Sequence, residues 1–245
     1  MKTVALIPAR FGATRFPGKL LVDLRGKPLI ARTYLSTLAT GVFDEVCVVT
    51  DHPDIAQAIE QEGGQVYRSL REHESGSDRI AEAAASLEAD LIVNVQGDEP
   101  FQDKKSLSDL VAAFADEEVA VASLMARISD TKQVQNPNLV KVVTDARNFA
   151  LYFSRSPIPF QRNEESSVDY YRHIGIYAYK KSLLMKFTSW EKSALEKVEM
   201  LEQLRLLENG YAIKMVETHH QALAIDVPED LDRALHYYDS IDPSY

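Results

Sequence analysis

Leu6-Ile7-Pro8-Ala9-Arg10-Phe11-Gly12-Ala13-Thr14-Arg15-Phe16-Pro17-Gly18-Lys19 is the stretch whose reading settles the kind of fold. It begins inside an apolar run, Val4 to Ile7, with none of the polar alternation of a half-exposed strand, so a buried strand of a parallel sheet is expected. The chain then turns polar. Arg10, Arg15 and Lys19 follow, with Gly12 and Gly18 between them. Glycine lets a backbone bend sharply and offer its N–H groups to an anion, because no Cβ obstructs the approach. Guanidinium groups hold phosphate oxygens in a planar fork, and an ammonium acts on them as a point charge. The loop therefore reads as a polyphosphate cradle, and the plain alternative is a strand-to-helix connection with solvated charges.

Strand and helix signals alternate through the first half. Lys2–Ile7, Glu45–Thr50, Gln65–Tyr67 and Leu91–Val95 read as strands. Helices are expected from about Pro28 to Ala39, from Asp51-His52-Pro53 to Gly63-Gly64, and near Asp78–Leu87. Such alternation implies right-handed crossovers and a mainly parallel, three-layer α/β fold. Ligands in these sheets sit beyond the carboxyl ends of the strands, so the loops after Ile7 and Val95 are expected to share one crevice. The second half reads as a mixed or antiparallel excursion, with strands at Val119–Ala126, Leu139–Thr144, Ala150–Ser154 and Tyr170–Tyr179. Asn148 suits a turn, and Gln161–Asp169 is a polar loop. Ser193 and Glu196 have the spacing of a capping box for one helix reaching Glu208. Ala212–Glu217 and Leu223–Ile225 read as further strands, and Pro228 opens a terminal helix. Residues 1–245 are taken as one domain, with the excursion at about 127–190.

Composition narrows the function. A formal net charge of −10 lacks the basic footprint of nucleic-acid binding. No apolar run approaches the ~18 residues that cross a bilayer, and Val4–Ile7 is too short for a signal-peptide core, so a cytoplasmic location without membrane insertion is expected. Cys47, the single cysteine, lies in the apolar run Val46–Val49 and reads as a small core residue. Gly12 and Gly18 do not form the G-x-G-x-x-G of a nicotinamide enzyme.

Asn94-Val95-Gln96-Gly97-Asp98-Glu99-Pro100 follows the fourth strand. A carboxylate there, beside a tight glycine turn, suits Mg²⁺, which takes one or two protein carboxylates plus substrate phosphates. Asp98 is the better candidate of the acidic pair. In Ile225-Asp226-Val227-Pro228, Asp226 is either a helix N-cap or a second metal carboxylate.

Taken together, Pro8-Ala9-Arg10 through Arg15-Phe16-Pro17-Gly18-Lys19, Asn94 through Pro100, Arg172-His173-Ile174-Gly175-Ile176-Tyr177 and Glu199-Met200-Leu201-Glu202-Gln203-Leu204-Arg205 resemble the 3-deoxy-manno-octulosonate (Kdo) cytidylyltransferases. The likeness runs from Val4 to about Leu235. It implies a nucleotide-diphospho-sugar-transferase-like fold with a dimerisation and sugar-binding lobe, and a homodimer. The implied reaction transfers CMP from CTP to the anomeric hydroxyl of Kdo or an amino-substituted Kdo, releasing pyrophosphate, for lipopolysaccharide synthesis. The resemblance puts Arg10, Lys19 and Asp98 in catalysis. It puts Ala9, Arg10, Arg15, Lys19, Ser75 and Gln96 around the nucleotide, together with the rest of the loop His73–Arg79. Arg155, His173, Tyr177, Glu202 and Gln203 would meet the acidic sugar, with Arg155 on its carboxylate, and Asp98 and Asp226 would hold Mg²⁺. The first motif is shared with sialic-acid cytidylyltransferases, which makes another acidic sugar the alternative substrate. A glycosyltransferase and a nucleotide-sensing domain are the more distant readings.

Overall fold

The computed structural model describes residues 1–12, 16–163, 165, 168–220 and 223–241. Among them are nine strands and eight α-helices, in two compact units: Met1–Lys104 with Gln221–Tyr245, and Lys105–His220. Strand pairing is parallel throughout the first unit and mixed in the second, the α/β organisation expected from the sequence.

The first unit is built outward from β1 (Thr3–Ala9), whose Val4, Ala5, Leu6 and Ile7 are wholly buried. Helix α1 (Leu29–Ala39) leads to β2 (Glu45–Thr50), and α2 (Pro53–Glu60), with proline at its first position, leads to β3 (Gln65–Arg68). Helix α3 (Gly76–Ser86) starts two residues earlier than the hydrophobic pattern suggests. The Ser75 hydroxyl oxygen accepts the Asp78 N–H at 3.1 Å and caps it. The chain then returns to β4 (Leu91–Asn94), on the far side of β1 from β2, for a strand order β3-β2-β1-β4. The reversal between β1 and β4 is a topological switch point, where the chains leaving two neighbouring strands diverge and open a crevice.

Helix α4 (Lys104–Ala112) leads into the second unit. There β5 (Val121–Arg127) is followed by the hairpin β6 (Lys141–Thr144) and β7 (Ala150–Ser154), turned at Asn148 with φ +59°. The long β8 (Tyr171–Lys180) runs antiparallel to β5 and β6. Next come α5 (Lys181–Phe187), α6 (Ala194–Glu199), α7 (Gln203–Glu208) and β9 (Lys214–Glu217), which is parallel to β5. Helix α8 (Pro228–Ile241) belongs to the first unit, where Arg32 donates to the Tyr238 hydroxyl at 2.6 Å and Phe101 meets Tyr237 edge-on at 4.7 Å.

Two expectations are corrected. The helix from Ser193 to Glu208 is not continuous: the capping box forms, but Met200 adopts φ +55° and separates α6 from α7. A non-glycine residue pays ~1–2 kcal/mol for that conformation. Arg155 offsets it by donating to the carbonyls of Glu199 (2.8 Å) and Met200 (3.4 Å), while the Glu199 carboxylate accepts from Ser154 Oγ and the Arg155 N–H. Leu223–Ile225 is not a strand; its Ile225 N–H bonds to the Asp98 carbonyl at 3.0 Å. Helix α5 went unpredicted, since nothing caps its start, although Leu183, Leu184 and Phe187 bury one face.

Buried charge reinforces the α6–α7 pair. Arg205 and Glu196, 5% and 4% exposed, form a two-point ion pair at 2.7 and 2.6 Å, with the guanidinium over the Phe187 ring. Arg205→Met should leave the Glu196 carboxylate buried and unpaired, and lower unfolding free energy by about 3–5 kcal/mol. Urea unfolding checks this, and a midpoint unchanged from wild type would mean that water or another group satisfies Glu196.

Candidate active site

The two switch-point loops are shaped by glycine. Gly18, at φ +70°, turns the chain into a short 3₁₀ segment, Lys19–Leu21, whose Leu20 is buried and anchors the loop. At Gly97 a Cβ would lie 3.1 Å from the Pro8 carbonyl oxygen and 3.2 Å from Ile30 Cδ1, so the β4 loop can lie this close to β1 only without a side chain there. The Gly97 carbonyl accepts from Thr33 Oγ1 at 2.9 Å, and the Glu99 N–H closes a turn onto the Gln96 carbonyl at 3.2 Å. Asp98 is thereby fixed at the end of β4.

A third segment arrives from the C-terminal side. The Asp230 carboxylate accepts the N–H groups of Asp226 (2.9 Å) and Val227 (3.0 Å), tying the start of α8 to Asp226. Burial alone would raise the Asp230 carboxyl, but these N–H groups and Arg233 bring it below its ordinary value. All three segments meet at the Lys19 ammonium. It ion-pairs with Asp98, donates to Asp226 Oδ1 at 3.1 Å, and donates to the Ile225 carbonyl at 3.0 Å. The crevice expected from strand order is thus present, and two carboxylates share one cation in it.

Beside these loops the same unit carries a cleft of about 630 Å³, lined by Arg10, Phe11, Asp51, His52, His73 and Arg79 among others. Arg10 is exposed. Phe11 stacks on His52 with ring centres 4.1 Å apart and planes within 7°. Arg79, 4% exposed, pairs with Asp51 at 3.0 Å and reaches Ser69 Oγ. Burial pushes the Asp51 carboxyl up, but the Arg79 hydrogen bond and charge hold it below the usual carboxylate range. His73 pairs with Glu82, whose other oxygen accepts the Leu70 N–H at 2.7 Å, so the loop before α3 is pinned at both ends. Ser75 is engaged as the α3 cap and donates to Asp78 Oδ2. Ala9 ends β1 fully buried, and Gln96 is half-buried after β4. Arg15 lies outside the described residues. Sequence reading did not single out Phe11, Asp51, His52, Glu82 or Asp230; of these, only Asp230 carried a local signal, its place in the first turn of a proline-started helix.

In the second unit the β5–β8 register jumps, with Ser123 opposite Tyr177 and Leu124 opposite Ile174, so Gly175 and Ile176 are extra in β8. Ser123 Oγ sits in this bulge, 2.9 Å from His173 Nε2 and within bonding distance of the Ile174 and Ile176 carbonyls. A hydroxyl has one proton for three neighbours, and a His173 tautomer protonated at Nε2 would leave that proton for a carbonyl. Desolvation pushes the His173 imidazole down to about 3, and it is neutral at working pH. Its ring lies 5.2 Å from both Phe153 and Tyr177. Burial raises the Tyr177 hydroxyl well above its ordinary value, with Tyr179 and the nearby Glu202 charge adding to it. Glu202 and Gln203 open α7, half-buried and buried respectively. His173, Tyr177 and Glu202 are therefore brought together.

Arg155 is held differently from a free fork. Nε and Nη2 donate to Glu199 and Met200 carbonyls, and Nη1 donates to the Pro137 carbonyl at 3.0 Å. Of the five N–H groups of a guanidinium, one on each terminal nitrogen is left. Lys141, fully buried, is tied to the carbonyls of Asn136, Leu139 and Arg155. Burial lowers its pKa.

Two carboxylates and an ammonium at a parallel-sheet switch point, beside a cleft carrying further cations, define a nucleotidyl-transfer class of site. A family model described as Cytidylyltransferase matches residues 4–218. The 3-deoxy-manno-octulosonate cytidylyltransferase of Christiangramia forsetii is 53% identical over 236 residues, 95% of each chain. That of Flavobacterium johnsoniae is 52% identical over 237 residues, 96% of this chain and 97% of the other. Among solved structures, a CMP:2-keto-3-deoxy-manno-octonic acid synthetase complexed with CTP superposes with a TM-score of 0.94 at 38% identity, covering 98% of this chain and 99% of that one. The chain belongs to the 3-deoxy-manno-octulosonate cytidylyltransferase family.

Proposed function

We infer that the protein transfers CMP from CTP to the anomeric hydroxyl of 3-deoxy-manno-octulosonate, forming a bond from that oxygen to the α-phosphorus and releasing pyrophosphate. The observation that carries the reading is the meeting of Lys19, Asp98 and Asp226 at the switch point, in a chain of this family. The two relatives at 52–53% identity are named for 3-deoxy-manno-octulosonate, which favours that sugar over a sialic acid.

Phosphoryl transfer needs positioning and charge neutralisation more than covalent chemistry. Arg10 and Lys19 are the cations for the triphosphate and the departing pyrophosphate. Asp98 and Asp226 fit Mg²⁺: both reach the same cation in this structure, and hard carboxylate oxygens are what that ion takes from protein when phosphates supply the rest. When bound, the ion would neutralise phosphate charge and lower the pKa of the attacking hydroxyl. For the sugar, Arg155 would offer its two remaining N–H groups to the carboxylate. Neutral His173, Tyr177, Glu202 and Gln203 would exchange hydrogen bonds with its hydroxyls.

Pyrophosphate release, measured with CTP, Mg²⁺ and a panel of acidic sugars, tests the reading. Turnover should be highest with 3-deoxy-manno-octulosonate or its amino-substituted form. CTP binding without release on any sugar would overturn it.

We also propose a homodimer in the cytoplasm. Leu151, Phe160, Val198 and Met200 of the second unit are 63–86% exposed and offer apolar side chains to a second copy. The lone cysteine is buried, as suits a compartment without disulfides. Light scattering should give about twice the 27.5 kDa chain mass, and a monomer at micromolar concentration would contradict the dimer.

A further inference from the structure

The Lys19 ammonium pairs with both of the carboxylates proposed above to hold a metal. It has three N–H groups and three acceptors, namely the Asp98 carboxylate, Asp226 Oδ1 at 3.1 Å and the Ile225 carbonyl at 3.0 Å. Its side chain is 14% exposed, against 22% for Asp98 and 42% for Asp226, so Lys19 is the least exposed of the three. Neither the strand order nor the family motif requires this arrangement. A lysine needed only for phosphate could equally point to solvent.

We propose that Lys19 is a resident cation that keeps the metal position closed until a nucleoside triphosphate draws the ammonium away, so that metal and nucleotide bind as a pair. The proposal rests on the reading of Asp98 and Asp226 as metal carboxylates. A divalent ion bridging both would stand within a few ångströms of an ammonium bonded to the same oxygens, and like charges at that range repel strongly in a partly buried site. The ammonium must leave for the ion to enter. Leaving without a new partner would strand a mostly buried charge, and the triphosphate supplies that partner. The exchange is reciprocal by linkage: nucleotide favours metal to the same degree that metal favours nucleotide. Lys19 thus acts twice, first as a counter-ion that holds Asp98 and Asp226 together and then as a phosphate ligand.

The test is Mn²⁺ binding to the protein without nucleotide, followed by the electron paramagnetic resonance signal of the free ion. Lys19→Met keeps the length of the stem and removes the charge, and should bind Mn²⁺ roughly ten- to a hundredfold more tightly than wild type, the worth of one charge-assisted contact. Lys19→Gln serves the same purpose should the methionine variant fail to fold, and Lys19→Arg should stay as weak as wild type. Adding Asp98→Asn to Lys19→Met should abolish the gain. If wild type and Lys19→Met bind Mn²⁺ equally and both lose it with Asp98→Asn, the carboxylates hold metal but the ammonium does not close the site, and the proposal fails alone. If Asp98→Asn changes Mn²⁺ binding in neither background, the metal assignment fails as well.

Discussion

Asp98→Asn should lower kcat by about two to three orders of magnitude while leaving the fold intact. The loss is expected to be large because, among the described residues, Asp98 and Asp226 are the carboxylates that meet the Lys19 ammonium at the switch point. The change is nearly isosteric, so the backbone that carries residue 98 should hold: its carbonyl still accepts the Ile225 N–H at 3.0 Å, and Gly97 remains wedged against Pro8 and Ile30. What is lost is a negative charge and a hard oxygen ligand. Excess EDTA should silence the wild-type protein in the same way, and added Mg²⁺ should restore it. Turnover at the wild-type rate in Asp98→Asn, or in excess EDTA, would remove Asp98 from the metal and leave it as a counter-ion of Lys19.

Arg155→Ala should reduce kcat/KM for the sugar acid by roughly thirty- to a thousandfold, with the KM for CTP near its normal value. Two effects combine here. The proposed carboxylate contact is lost, and so are the three main-chain bonds by which Arg155 holds Pro137, Glu199 and Met200. The second loss should loosen the left-handed turn at Met200 that sets the start of α7, and with it Glu202 and Gln203. Lysine should rescue poorly, because one ammonium cannot bond three carbonyls and a carboxylate at once. Steady-state kinetics with each substrate varied in turn separates the outcomes. Equal impairment toward CTP and sugar would make Arg155 a support of the whole fold. No change toward either would place the carboxylate elsewhere in the second unit.

Much of the framework was legible from local pattern alone. The apolar run Val4–Ile7 and the nearly all-apolar Leu91–Val95 fall on buried strands, and Ser193 with Glu196 forms its capping box. Pro53 and Pro228 open the helices expected of them. These features depend on neighbours a few residues away, where periodicity, capping and turn chemistry act. The cationic loop and the Asp98 turn were legible for the same reason, as was their common crevice, which follows from strand order.

Contacts that join distant segments could only come from the tertiary structure. Lys19 reaches Asp98 across 79 residues and Asp226 across 207, so no local pattern could tell whether its ammonium meets carboxylates or solvent. Asp226, left between helix cap and metal ligand by its sequence, is placed by the Asp230 carboxylate that takes over the capping. The helix expected through Met200 had every local signal in its favour. Its break arises because Arg155, 45 residues away, offers bonds to the carbonyls of the turn that a continuous helix would have used internally. Helix propensity amounts to a few tenths of a kcal/mol per residue, and charge-assisted bonds of about 1.5–3 kcal/mol outweigh it. The sequence alone determined which residue types stand at the ends of the strands; packing across the whole chain decided which of them face one another.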